Sequence, residues 1–363
     1  MSELVKVGIT HGDVNGVGYE IMMKAFSDAR LLELFNPVIY GSSKSASYHR
    51  KALDYRSINF HTVHRAEDCS AGKLNLVNCV KEETKIELGT SSTEAGESAY
   101  IALDHAAKDL LNGKIDVLVT LPINKDSIQN EEFRFPGHTE FLENRFSDNN
   151  EKALMILTAE KLRVALVTTH MPLSEVAKHI SKEVILEKLQ TLDTSLKRDF
   201  RIENPRIAVL ALNPHAGENG LLGEEEKLHI APAVKQAQDT DILCAGPLAA
   251  DGFFGSGRYK EFDAILAMYH DQGLIPFKTI AMESGVNYTA GLSVVRTSPD
   301  HGTAYDIAGK NLASDESFRQ AMYLAVEIFK NRAAYDEARK NPLRKMFHDR
   351  GRDDEKLDLT KEE

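Results

Sequence analysis

The chain has 363 residues, 42% apolar and 27% charged, and a net charge of −11. That length supports two domains or one large one with an ample core, and the acidic balance argues against a broad basic surface for a nucleic-acid backbone. Three cysteines (Cys69, Cys79, Cys244), none in a C-x-x-C pair, predict a reducing compartment, and the lack of any spanning-length apolar run predicts a cytoplasmic protein with no membrane partner.

In chain order, "LVKVGIT" (4–10) reads as a strand, followed by a Gly-rich turn and a helical stretch over 19–35. "PVIYG" (37–41) is a second strand. Residues 92–113 form an amphipathic helix with Thr93 as N-cap, Ala99, Ala102, Ala106 and Leu110 on one face, and Gly113 as its stop. "IDVLVTLP" (115–122) is a strand, and "ALMILTAEKLRVALVTTH" (153–170) is two. A helical stretch near 172–200 leads to the strand "RIAVLALNPH" (206–215). After a helical segment near 223–238 come the strands "DILCAGPL" (241–248), "FDAILAMYH" (262–270) and "GLSVVRTS" (291–298), then a long helix over about 314–335. Strands alternating with helices predict an α/β fold with a largely parallel sheet. The expected division is residues 1–140 with 300–340 as one α/β domain and 141–299 as a second, with the polar stretch 137–150 as a crossing point. Residues 341–363, dense in both signs of charge, form a flexible tail.

Three strand-like runs end in a histidine: His170, His215 and His270. Ligands of open α/β sheets bind beyond the carboxyl ends of the strands, and three imidazoles with one open position suit a catalytic divalent metal. Each histidine alone could equally bond the backbone or begin a helix. Other strand ends carry His11, Asp13 and Lys125. His138 and Thr139 stand just before a helix, where Thr139 could be an N-cap and where a helix N-terminus favours anions. Lys278, Asn287 and Arg296 form a cationic and polar arm that could hold a phosphate or carboxylate, or surface ion pairs. Asp251, Asp271 and Lys125 are acid–base candidates because each follows a strand-like run, and Asp271 could instead orient His270. No phosphate loop, G-x-G-x-x-G fingerprint or G-x-S-x-G elbow is present.

"GHTEF" (137–141), "TTHMPL" (168–173), "LNPHAGE" (212–218), "AMYHDQGLIPFK" (267–278), "GVNYTAGL" (285–292) and "RTSPDHGTA" (296–304) occur in that order. Together they resemble the 4-hydroxythreonine-4-phosphate dehydrogenase family of the vitamin B6 pathway. The resemblance implies a two-domain α/β/α fold with mixed, largely parallel sheets, like the isocitrate and isopropylmalate dehydrogenases, which bind NAD without the Rossmann fingerprint. It implies an NAD-dependent homodimer with the active site at the subunit interface and one divalent metal (Zn, Mg or Co) per site. His170, His215 and His270 are then the metal ligands, His270 coming from the partner subunit. His138, Thr139, Lys278, Asn287 and Arg296 contact a small phosphorylated substrate. "DHGTAYDIAGK" (300–310) is similar to an adenosine-binding loop, with His301 and Asp306 on the cofactor and Asp306 selecting NAD over NADP. The implied reaction oxidises 4-phosphohydroxy-L-threonine to a β-keto acid, which decarboxylates to 3-amino-2-oxopropyl phosphate. A related branch acts on 4-phosphothreonate or 4-phosphoerythronate, and a three-histidine metal hydrolase or lyase is the rival of another class. Val14 and Tyr19 stand where many members have proline, and Leu121 where glycine is usual.

Overall fold

The computed structural model describes residues 4–80, 84–146 and 152–341. Its first half contains β1 (Lys6–Thr10), α1 (Gly18–Phe26), α2 (Leu31–Leu34), β2 (Asn36–Gly41), α3 (Ser43–Ala52), β3 (Phe60–Val63), β4 (Leu74–Asn78), α4 (Thr93–Leu111), β5 (Val117–Thr120) and α5 (His138–Phe146). Next come β6 (Leu154–Ala159), β7 (Leu162–Leu166), α6 (Leu173–His179), α7 (Lys182–Arg198), β8 (Ile207–Leu210), α8 (Ala231–Gln238), β9 (Cys244–Leu248), α9 (Ala250–Gly255), β10 (Ala264–Ala267) and α10 (His270–Ala281). β11 (Val286–Ala290), β12 (Arg296–Pro299) and α11 (Glu316–Arg339) close the chain.

The strands form one continuous twelve-stranded sheet in the order β3-β4-β2-β1-β5-β12-β11-β6-β7-β10-β8-β9. Only the β12–β11, β11–β6 and β6–β7 pairings are antiparallel among the described residues. These three reversals turn the strands from β7 to β9 opposite to those from β3 to β12. The carboxyl ends of β1 and β5 therefore lie at one edge of the sheet, and those of β7, β10 and β8 at the other. The expected α/β class with a mixed, largely parallel sheet is what forms.

Apolar packing explains where the site sits. One cluster runs along a whole face, joining Ile9, Val119, Ile156, Val209 and Leu266 to α1, α7, α8 and α11. The opposite face carries two separate clusters, one of Leu118 with α4 and α5 and one of Leu157, Leu166 and Ile265 with α9 and α10. Side chains alternate across a strand, so the partners Arg296↔Thr289 and Ser298↔Asn287 all face the gap between these two clusters. On the reverse side, Thr297 bonds Ala321 O, and Tyr288 joins the buried Asp199–Arg332 pair. The sheet is apolar where helices cover it and polar where they do not.

Several expectations need correction. The cap of α4 is Ser92, not Thr93: Ser92 is extended and its Oγ accepts from Ala95 N at 3.2 Å. The helical stretch over 19–35 breaks at Ser27–Arg30, where Ser27 Oγ bonds back to Met23 O. The strand expected over 291–298 begins only at Arg296. Four elements, α3, β3, β4 and β11, carry no clear apolar period. In β4 the buried Asn75 amide bonds Asn36, Pro37 O and Ser70 O, so a polar residue performs a core task. The charged tail from 342 onward lies outside the described residues. No described helix is long and apolar enough to cross a membrane.

Candidate active site

The gap between the two clusters is a cavity of about 240 Å³. Arg296 forms its floor and is 2% exposed. Its Nε donates to Thr120 Oγ1 and its Nη1 to Thr289 Oγ1, each at 3.1 Å. No carboxylate lies within ion-pair distance of this guanidinium among the described residues. Burial lowers its pKa to about 10, opposed by the charge of Glu140. A buried cation bonded only to hydroxyls is an anion-binding site by its own electrostatics.

The wall adds the start of α5. That helix begins at His138, so Thr139 lies inside its first turn and is not a cap. The free N–H groups of this turn favour an anion. His138 is held neutral, its pKa well below normal, mainly by burial and then by Arg296 and Lys125. Buried His138 Nε2, Asn287 Oδ1 and His301 Nε2 line the cavity without hydrogen-bond partners among the described residues. Unpaired buried polar atoms are costly, and a polar substrate would satisfy all three. Lys278, Ser298 and Asp300 complete this side.

At the cavity's other end two histidines meet. His170 follows β7 and His270 opens α10, and because β7 and β10 are parallel neighbours their ring centroids come within 5.7 Å. Lys125 Nζ reaches His170 Nε2 at 3.2 Å, and Glu140 Oε1 lies 3.8 Å from His170 Nδ1. His270 Nδ1 donates to Asp271 Oδ1 at 2.7 Å, the orienting arrangement expected for Asp271. A second cavity of about 520 Å³, lined by Met171, Leu173, Tyr269 and Asp271, shares both histidines as a wall.

A family model described as pyridoxal phosphate biosynthetic protein PdxA matches residues 33–325. The 4-hydroxythreonine-4-phosphate dehydrogenase of Bacteroides thetaiotaomicron is 57% identical over 355 residues, covering 98% of this chain and 97% of the relative. The chain belongs to this family. The corresponding enzyme of a Sulfurihydrogenibium species is 42% identical over 89% of this chain and 98% of its own. A solved 4-hydroxythreonine-4-phosphate dehydrogenase from Klebsiella pneumoniae superposes with a TM-score of 0.76 at 31% identity, covering 90% of this chain and 99% of that one.

Of the residues singled out from the sequence, nine line one cavity: Lys125, His138, Thr139, His170, His270, Lys278, Asn287, Arg296 and His301. Asp251 does not; it is exposed on α9. His215 is also apart and exposed. It lies in a turn where His215, Ala216, Gly217, Glu218 and Asn219 all have positive φ, from 41° to 77°. The buried Glu226 carboxylate holds this turn, accepting from Leu212 N at 2.8 Å and Asn213 N at 2.7 Å. Left-handed backbone costs a non-glycine residue about 1–2 kcal/mol. Ala216→Gly is therefore expected to raise unfolding stability by about 1 kcal/mol. Glu226→Ala strands two N–H groups and is expected to lower it by about 2–3 kcal/mol; urea titration of both variants checks the opposite signs.

No group of three histidine, cysteine or acidic side chains has metal-binding spacing among the described residues. One chain thus supplies two converging imidazoles, short of the three donors a catalytic metal needs. The loop expected to carry the cofactor is anchored within the chain. Tyr305 donates to Asp13 Oδ2 at 2.7 Å and Val17 N to Thr303 O at 3.1 Å, fixing the loop. The exposed Asp306 carboxylate has no partner among the described residues, and His301 Nε2 faces the cavity.

His11 and Asp13 do not join the cavity: both are buried, His11 against Ser98 and Asp13 accepting from Tyr305. His11 instead stacks on Tyr19 at 5.6 Å, and Tyr19 on His49 at 4.9 Å. Tyr19 thus fills the space between two buried histidines. Sequence reasoning missed Thr120, Glu140, Ser298 and Asp300. Glu140 and Asp300 stand inside motifs already recognised, each next to a residue that had been selected.

Proposed function

We propose that the chain is an NAD-dependent decarboxylating dehydrogenase of 4-phosphohydroxy-L-threonine, acting as a homodimer. The observation that carries this reading is the buried Arg296, uncompensated among the described residues, beneath Lys278 and the α5 N-terminus. Together they make a site for a doubly anionic small molecule. Lys278 and the α5 N–H groups hold the phosphate, and Arg296 holds the carboxylate. His138 and Asn287 accept or donate at the amino and hydroxyl groups through atoms that otherwise lack partners. His301 and Asp306 hold the nucleotide, whose oxidised nicotinamide supplies the hydride acceptor.

His170 and His270 with His215 would hold one divalent ion (Zn, Mg or Co), which supplies Lewis acidity toward the substrate oxygen. Two chains are required for this set, because His215 of one chain does not join its own His170 and His270. In this reading exposed Leu173, Leu221 and Ile275 on the same half of the molecule become interface.

The test measures NAD⁺ reduction with 4-phosphohydroxy-L-threonine against 4-phosphothreonate and 4-phosphoerythronate. Turnover with the amino acid at least tenfold above the other two is expected, and a reversed order reassigns the substrate. Mixing His215→Ala with His270→Ala subunits tests the shared site. Partial activity is expected to return, since one site in each mixed dimer is intact; no recovery means that one chain supplies all three ligands.

A further inference from the structure

The proposed reaction needs a group that can carry a proton at the reacting carbons, and the cavity wall narrows the choice. Its carboxylates, among the described residues, are Glu140 and Asp300. Glu140 is engaged with His170, which holds its pKa below the usual carboxylate range. Lys125 is engaged with the same imidazole. Asp271 is bonded to His270 Nδ1 and faces the neighbouring cavity. Asp251 is on the surface.

Asp300 differs from all of these. Its backbone is fixed at the end of β12, where Asp300 N donates to Gly285 O at 3.2 Å and to Ser317 Oγ at 3.1 Å. Ser317 Oγ in turn donates to Gly285 O at 2.6 Å, so β11, β12 and α11 hold the mount together. The side chain is 13% exposed, and its nearest charged group is Lys278 Nζ at 3.6 Å, beyond hydrogen-bond length. Burial pushes the Asp300 pKa up, opposed first by Lys278 and, more weakly, by His270, both on α10. His301, beside it in the chain, is held toward neutrality by burial. The result is a rigidly placed carboxyl that keeps its proton to higher pH than its solvated counterparts.

We propose that Asp300 is the proton carrier of this site, an assignment that rests on the dehydrogenase reading above. Its carboxylate takes the proton of the substrate hydroxyl as the C–H electron pair leaves as hydride for the oxidised nicotinamide, and the C–O bond becomes a carbonyl. The bond to the carboxylate carbon then breaks, CO₂ departs, and its electron pair becomes an enolate. Asp300 returns the same proton to the carbon that lost CO₂, ending as a carboxylate. One proton moves out and back, and none is released.

The experiment compares wild type with Asp300→Asn and Asp300→Glu, in the full-length protein with its metal and NAD⁺, from pH 5 to 9. Asp300→Asn is expected to lower kcat about 10³-fold and to abolish the acid limb of the pH profile. Its affinity for inorganic phosphate, by calorimetry without cofactor, should hold or rise, because Lys278 loses its neighbouring anion. Asp300→Glu should retain an acid limb with kcat reduced about tenfold. Either variant with wild-type kcat and an unchanged acid limb overturns the proposal, and Asp300→Glu decides alone if the asparagine variant does not fold. Wild-type protein that reduces no nicotinamide with any of the three acids removes the dehydrogenase reading itself, a result distinguishable from failure of Asp300.

Discussion

Replacing Arg296 by leucine is expected to raise KM for the phosphorylated acid by about 10²–10³ while leaving unfolding stability within about 1 kcal/mol of wild type, or above it. The two halves of this prediction have one cause. The guanidinium is 2% exposed, and no carboxylate neutralises it among the described residues. Its desolvation is therefore a standing cost to the folded chain, relieved only when an anion binds. Leucine removes the cost and the binding energy together, against the loss of three hydrogen bonds, two to Thr120 and one to Thr289. Arg296→Lys keeps the charge but not the planar fork, so a KM increase of roughly ten- to a hundredfold is expected. Steady-state kinetics and a urea titration on the same preparations decide it. A large loss of stability with KM unchanged would make Arg296 a structural residue.

Acid should destabilise the protein well before its carboxylates protonate. His11 and His49 are 0% and 1% exposed, and burial lowers their pKa values from 6.5 to about 3 and about 4; the charge of His49 lowers His11 further. Above pH 6.5 both are neutral whether the chain is folded or not, and they impose no pH-dependent penalty. Below 6.5 the unfolded chain binds protons that the folded chain refuses. Stability then falls by about 1.4 kcal/mol per pH unit for each histidine, until the folded pKa is reached. The two together cost on the order of 5 kcal/mol between pH 6.5 and 4.5. His138 adds to this with the same sign. Asp13 and Asp300, whose pKa values burial raises, act with the opposite sign at lower pH and soften the fall. His49→Gln keeps a donor for Val14 O, to which His49 Nε2 bonds at 2.8 Å, and loses the stack on Tyr19. It should be less stable at pH 7.5 yet flatter with pH, by about a third of the wild-type slope, in urea midpoints from pH 7.5 to 4.5. An unchanged slope would rule out this pair as the source.

Much of the site was legible because chemistry-bearing residues stand in short ordered blocks. "GHTEF", "AMYHDQGLIPFK" and "RTSPDHGTA" each place a polar residue where an apolar run stops, and each contributes to the cavity wall. What misled was the assumption that every strand end opens onto the site. His11 follows β1 as His170 follows β7, yet His11 is packed between Tyr19 and Ser98 in the core while His170 lines the cavity. Asp251 lies off this cavity because following a strand-like run does not say which way a short helix then turns. Asp300 was overlooked because no local pattern distinguishes a buried carboxyl from an exposed one.

Periodicity, turn residues and polar interruptions are local properties, and they were enough to determine an α/β chain with a largely parallel sheet and the identity of most wall residues. Three things depended on contacts between distant segments. These are the reversal of strand direction across the middle of the sheet, the bare stretch of sheet face between two apolar clusters, and the isolation of Arg296 from any described carboxylate. None has a signature in neighbouring residues, because burial and charge compensation are set by what packs against a side chain, and that is decided only when the sheet closes around it.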